Sequence, residues 1–210
     1  MKIIPFVYND IDDLCANTYV LIDKSNNCII IDPSKKYDGL VNYVKKNGLN
    51  LKAVLITHSH IDHFRGAELL INTFNVPLYI GFYDAPALKD SYLNCSQLLG
   101  ETQSLNVKAN TISEEDIITL LDEPINIIDA PYHTCGAVCY FLKESNILFS
   151  GDSLFYRGVG RSDLPTSDKK IQSISLEKIL NLPEETKVYP GHGRSTTIKA
   201  EKEFHNSSRF

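Results

Sequence analysis

Three features are missing from this 210-residue sequence, and each absence excludes a class of protein. No apolar run approaches the roughly 20 residues of a membrane span, so we expect no membrane segment. No block of lysine and arginine offsets the formal net charge of −5, which argues against a nucleic-acid partner because phosphate neutralisation supplies most of that affinity. The amino terminus has only a short apolar stretch followed by acidic residues, so it predicts no secretory signal.

Cysteine is also sparse and unpaired in pattern. The five cysteines are scattered and odd in number, and none has C-x-x-C spacing, so we expect neither a disulfide framework nor a structural cysteine-rich zinc site. Cys135 and Cys139 fall in one predicted strand about 13 Å apart, which is too far for a bridge. These observations predict a reducing, cytoplasmic location.

The remaining pattern is that of an ordinary globular domain, 43% hydrophobic and 22% charged. Short β-branched runs of strand length come first with turns between them and later alternate with helical segments. The predicted strands are "KIIPFV", "NTYVLID", "NCIIIDP", "LKAVLIT", "VPLYIG", "PINIIDAP", "AVCYFLKE", "NILFSGD" and "KVYP". The order predicts a single α/β domain in which helices cover sheets.

Helical spacing marks four further segments. They are "KYDGLVNYVKKNG", "FRGAELLINTFN", "KKIQSISLEKILNL" and "TTIKAEKEFH". The third is amphipathic, and the residues predicted to lie mostly on one face are Ile171, Ile174, Leu176, Ile179 and Leu180. Residues 84–123 are predicted to form helix and loops.

The stretch "LKAVLITHSHIDHFRG" carries the densest chemistry. His58 and His60 are two positions apart, so their side chains point the same way on an extended segment; Asp62 continues that alternation. His63 is predicted to swing away as the chain turns into a helix. Imidazole and carboxylate together suit zinc, iron or manganese rather than calcium or magnesium. Residue types alone leave the choice among these three open.

Three more polar side chains follow predicted strands: His133 in "APYHTCG", Asp152 in "FSGDSLF" and His192 in "YPGHG". Open α/β sheets build sites beyond strand ends, so these loops are expected to converge with the histidine stretch. His205 lies in a polar helix end near the carboxyl terminus. We expect it to be an ordinary surface histidine.

These motifs resemble, in order, those of the metallo-β-lactamase superfamily, beginning with T-H-x-H-x-D-H at residues 57–63. The resemblance implies an αββα sandwich spanning residues 1–210 as one hydrolase domain with two divalent metal ions, most simply zinc. It implies a first metal on His58, His60 and His133, a second on Asp62, His63 and His192, and Asp152 bridging them. Asp62 and Asp152 would be the catalytic carboxylates.

Two further residues would contact the ligand side chains rather than the metals. Thr57 precedes the first ligand, and Asp32 closes the "IIID" strand where the family carries a supporting carboxylate. An alternative for Asp32 is an ordinary turn-starting aspartate before Pro33.

Within the superfamily, residues 151–168 and "YPGHGRSTTI" look like glyoxalase II and its short relatives. The helical carboxyl-terminal domain that grips glutathione in glyoxalase II is expected to be absent. Arg161, Tyr132 and Phe155 are candidate substrate contacts, with Tyr156 and Arg157 near the entrance. The alternatives are an Arg161–Asp163 ion pair and a Tyr132 that only packs beside the loop.

The resemblance implies hydrolysis of a small thioester such as S-lactoylglutathione by a hydroxide held between the metals. A thiolate leaves without an acid, unlike an amine, which favours thioesters over amides. The alternative is a persulfide dioxygenase-like oxidoreductase with one iron, although such enzymes tend to lack the Gly-His-Gly at residues 191–193. A third possibility is a metal-binding domain without catalysis, which seven intact ligand positions disfavour.

Overall fold

The structure is a computed structural model that describes residues 1–8 and 14–207. Two six-stranded sheets form its centre. The first sheet has the order β1-β2-β3-β4-β5-β6, with strands Lys2–Phe6, Thr18–Ile22, Asn27–Ile31, Asn50–Leu55, Leu78–Gly81 and Ala109–Ile112. The second has the order β12-β11-β10-β9-β8-β7, with β7 to β12 at Ile117–Ile118, Ile125–Asp129, Val138–Leu142, Ile147–Gly151, Lys187–Pro190 and Thr196–Thr197.

Helices cover the outer face of each sheet. In chain order α1 to α5 are Gly39–Lys46, Ile61–Phe64, Ala67–Phe74, Gln172–Leu180 and Ile198–Ser207. The part of the chain that the structure describes also contains three 3₁₀ helices, Ala85–Lys89, Ser96–Leu99 and Lys169–Ile171. Among the described residues, no helix has both the length and the apolar character needed to cross a bilayer.

The two-residue period of a strand explains the layering. In β3, Ile29 and Ile31 pack between the sheets, whereas Cys28 and Ile30 pack on the other face, in the cluster that includes α1 and α3. A separate cluster packs α4 and α5 on the outside of the second sheet. A strand that is buried on both faces has a continuously apolar sequence. The predicted αββα sandwich is therefore confirmed.

Some local predictions were wrong. The region 84–123 contains the edge strands β6 and β7, whose sequences "ANTI" and "II" are too short to give a clear period. The brief strand β12 precedes α5 and was not predicted. Ile174 is exposed rather than on the buried face of α4.

The strand pairing brings the polar loops to one place. β3 and β4 are parallel neighbours, as are β10 and β11, so each pair ends at a common edge. Asp32 follows β3 and Thr57 lies just beyond β4. Asp152 follows β10 and His192 follows β11. These strand ends position the site described next.

Candidate metal centre

The histidine stretch turns into a helix earlier than the sequence predicted, so the expectation that Asp62 continues the extended alternation is wrong. His60 is extended, with φ −69° and ψ 140°, and α2 begins at the next residue. The turn carries Asp62 and His63 out of the alternation that His58 and His60 share. Backbone hydrogen bonds hold this turn, because Ile61 N donates to Asn94 O at 2.9 Å.

Among the described residues, the loops assemble three overlapping triads of ligand-type side chains, of which two share no member. His58, His60 and His133 form one group, and Asp62, His63 and His192 form the other. In each group the ligand atoms lie within 4.8 Å of one another, a spacing that one ion can bridge. A third triad, His58, His63 and Asp152, overlaps both, so the division between two ions stays a prediction.

Asp152 lies between these two groups. Its Oδ1 is 3.3 Å from His63 Nε2, and its Oδ2 is 3.5 Å from His133 Nε2 and 3.7 Å from His192 Nε2. One carboxylate thus faces members of both groups. Close backbone approach makes this possible, because a Cβ at Gly191 would lie 2.2 Å from Asp152 Oδ1.

The donor atoms of this cluster fit metal ions. Within the described part of the chain, four of its buried atoms lack a hydrogen-bond partner: His60 Nε2, His63 Nε2, His133 Nε2 and Asp152 Oδ1. Buried polar atoms are normally satisfied, so four orphans in one cluster call for an explanation. Imidazole nitrogens and carboxylate oxygens are ligands of zinc and of iron or manganese.

The histidines of the cluster differ in the direction in which their pKa values are shifted. Burial and neighbouring imidazoles hold the pKa of His58 well below its usual value, and burial lowers the pKa of His60 to about 3. Burial opposes protonation of His63 as well, but Asp32 and Asp152 outweigh it and raise the pKa of His63 well above its usual value. His58 and His60 are therefore neutral and able to ligate, while an ion at His63 displaces a proton.

Asp32 and Thr57 contact the histidine cluster from the strand ends. Asp32 Oδ1 accepts from Thr57 N at 2.8 Å, and its Oδ2 accepts from Thr57 Oγ1 at 2.7 Å. Asp32 Oδ2 also lies 2.9 Å from His63 Nδ1 and so orients that ring. Asp32 therefore contacts the histidine cluster and does more than start the turn before Pro33.

Asp84 is a supporting residue that the sequence did not reveal. This fully buried carboxylate accepts from Ser59 N at 2.8 Å, Thr134 Oγ1 at 2.7 Å and Gly136 N at 2.7 Å. Ser59 separates two ligand histidines, and Thr134 follows His133. Asp84 therefore ties two ligand loops together.

The candidate substrate contacts separate into two groups. Phe155 and Arg161 line the cavity above the cluster, and Arg161 forms the alternative ion pair with Asp163, at 2.7 Å from Nε to Oδ1. Tyr132 is fully buried, and its hydroxyl donates to Ser153 O while accepting from Gly160 N. Tyr132 as a substrate contact is corrected to the packing alternative.

The prediction that Tyr156 and Arg157 lie near the entrance of the site is also wrong. Neither residue lines the cavity; Tyr156 belongs to a separate surface depression, and Arg157 N donates to Glu201. The cavity itself has a volume of about 500 Å³ and contains members of both ligand groups. A cleft of about 600 Å³ beside α4 and α5 contains His205 but no ligand group.

This combination of fold and site defines a metal-binding αββα hydrolase. A profile of the metallo-beta-lactamase superfamily matches residues 12–192, and the chain belongs to that superfamily. Its members use divalent metals, often two. The chain is 32% identical over 190 residues to the probable metallo-hydrolase YqgX of Bacillus subtilis (strain 168), covering 90% of each protein. It is 32% identical over 193 residues to the hydroxyacylglutathione hydrolase of Prochlorococcus marinus, covering 89% of this chain and 69% of that protein.

Solved structures show the same architecture. The BLEG-1 B3 metallo-beta-lactamase matches with a TM-score of 0.89 and 32% identity, covering 96% of this chain and 97% of that one. TTHA1623 in a di-iron-bound form matches with a TM-score of 0.84 and 30% identity over 96% and 98%. ETHE1 from Myxococcus xanthus, at 23% identity and a TM-score of 0.79 over 97% and 83%, shares the fold.

Proposed function

We propose that this protein is a binuclear metal-dependent thioester hydrolase. His58, His60 and His133 would hold one ion; Asp62, His63 and His192 would hold the other; and Asp152 would bridge them. When bound, two such ions lower the pKa of water to near neutrality and polarise a carbonyl oxygen.

The protein residues set the charge of this centre. Asp62 and Asp152 offset only two of the four positive charges of two divalent ions. A centre loaded with both ions would therefore keep a positive charge, which favours negative charge on a carbonyl oxygen bound there. Asp32 holds the His63 ring in place, and Asp84 fixes the loops that carry His60 and His133.

The observation that carries the choice of thioester is the lining of the cavity. Among the described residues that line it, no serine, threonine, tyrosine, lysine or glutamate is present. Burial raises the pKa of the one thiol there, Cys95, to about 11, and Tyr132 faces away. No dedicated acid is then present to protonate the leaving group. A thiol of pKa about 8.5 can leave as the thiolate without a proton, whereas an amine cannot leave unprotonated.

Metal content and turnover test this proposal together. Protein purified without chelator should contain two zinc, iron or manganese ions per chain and should cleave S-lactoylglutathione. A chromogenic β-lactam, chosen because of the BLEG-1 likeness, should be cleaved far more slowly because its nitrogen needs a proton. Asp152→Ala should abolish turnover, while His205→Ala, which lies outside both ligand groups, should keep it. Full turnover in Asp152→Ala would refute the two-metal mechanism.

The competing function is a persulfide dioxygenase-like oxidoreductase. It requires one iron, whereas the second ligand group and its Gly-His-Gly at residues 191–193 are intact here. One iron per chain, no thioester cleavage and oxygen uptake with glutathione persulfide would establish that function instead.

A further inference from the structure

Three exposed leucines stand beside the metal ligands. Leu14, Leu98 and Leu99, which we call the leucine wall, are 53%, 62% and 39% exposed and line the same cavity as His60, Asp62 and the other ligands. Isolated exposed leucines are common on proteins. A group of them that lines one cavity offers a surface on which an apolar ligand can pack.

Polar contacts of Arg65 connect the two segments that carry the leucine wall. Arg65 donates from Nη1 to Leu14 O at 2.6 Å and from Nη2 to Glu101 Oε1 at 2.9 Å. Glu101 N in turn donates to Ser96 O, at the start of the 3₁₀ helix Ser96–Leu99. Arg65 thereby joins the segment of Leu14 to the segment that carries the other two leucines.

The same wall is attached to the ligands. Asn94 is fully buried, and its Oδ1 accepts from Ser96 N at 2.9 Å. Its backbone oxygen accepts from Ile61 N, the first residue of the helix that carries Asp62 and His63. The segment that carries Leu98 and Leu99 is therefore tied to the helix that carries Asp62 and His63.

Outside the metal centre, the cavity offers few partners for the carboxylates of an anionic substrate. Of the described residues that line it, Arg161 is the one lysine or arginine, and its guanidinium is bound to Asp163 at 2.7 Å and 2.9 Å. The tripeptide glutathione carries two carboxylates that need cationic or donor partners. Phe155 and Leu164 add apolar surface instead.

We infer that the substrates of this site are uncharged thioesters whose acyl or S-alkyl chain is apolar and packs against the leucine wall. The inference rests on the proposed thioester hydrolysis and assigns its substrate class. It ranks such esters above S-lactoylglutathione.

The test compares kcat/KM of metal-loaded protein across two series. One series is the acetyl, butanoyl, hexanoyl and octanoyl thioesters of N-acetylcysteamine, and the other is S-alkyl thioacetates of increasing length. Each methylene that the wall buries should raise kcat/KM about fourfold in at least one series. Leu98→Asn should flatten that rise. Ile117→Asn, a matched change at a 59% exposed position on β7 outside the cavity, should not.

The outcomes separate the two proposals. If kcat/KM does not change along either series and S-lactoylglutathione is the best substrate, the assignment of an apolar substrate is overturned. The proposed thioester hydrolysis is then still supported. If no thioester is cleaved, calorimetric titration with 2-octanone, an uncleavable apolar ketone, decides the inference. Binding that Leu98→Asn weakens would support an apolar ligand at the wall, and no binding would overturn it.

Discussion

Replacing Asp84 by asparagine tests how the ligand loops are held. The carboxylate presents Oδ2 to Ser59 N and Thr134 Oγ1, and Oδ1 to Gly136 N. An amide has one oxygen, so if it keeps the first two donors its NH₂ faces Gly136 N–H. The substitution is nearly isosteric, and we therefore expect the effect to come from hydrogen bonding rather than from a cavity.

The magnitude follows from these contacts. One buried donor left without a partner costs about 1–3 kcal/mol, and the two remaining bonds lose their charged acceptor, which adds about 1 kcal/mol. The total is about 2–4 kcal/mol in the free energy of unfolding. Burial raises the pKa of Asp84, so burying its charge already opposes folding, and we expect the lower half of this range. A loss of 2 kcal/mol lowers the melting temperature by about 4–8 °C in a chain of this size.

Two assays measure the effect. Thermal unfolding of chelator-treated protein gives the stability loss, and competition titration with a metal indicator gives affinity, which should fall about 10- to 100-fold as for other groups that orient ligands. Asp23→Asn is the matched control, because Asp23 is also buried and accepts from Ser25 N and Asn27 N in a turn between β2 and β3. It should lower stability without changing metal affinity. Equal metal affinities in Asp84→Asn and wild type would refute the reasoning.

Two further predictions concern the centre itself. Gly191→Ala places a Cβ 2.2 Å from Asp152 Oδ1, so metal analysis of this variant should find at least one ion fewer. The control variant Gly158→Ala, whose new Cβ would have its nearest atom 3.9 Å away, should still bind two ions. Two ions in both variants would contradict the packing argument. Acidifying metal-free protein should reduce its stability through His60, because the unfolded chain takes up a proton below about pH 6.5 whereas the folded chain resists until about pH 3. In urea unfolding, His60→Gln should remove up to about 1.4 kcal/mol per pH unit of that decline between pH 6 and 4, and an identical slope would count against a neutral His60.

Much of the fold was predictable because its signals are local. Apolar runs such as "CIII" in β3 and "AVL" in β4 mark strands with both faces buried, and helical spacing marks α1 and α3. The edge strands β6 and β7 escaped prediction because four and two residues carry too little periodicity. Ile174 was misplaced because helical spacing gives a face but not which neighbours cover it.

The sequence by itself determined the chemistry of the centre, because four of its ligand positions lie within six residues and the others end strands whose pairing is strongly patterned. Tertiary structure alone decided what surrounds it. Asp84 meets Gly136 from 52 positions away, and Leu14 meets Arg65 from 51 positions away. Tyr132 turned inward because Ser153 O and Gly160 N satisfy its hydroxyl there. Such contacts depend on how distant loops pack, and no local pattern of residues records that.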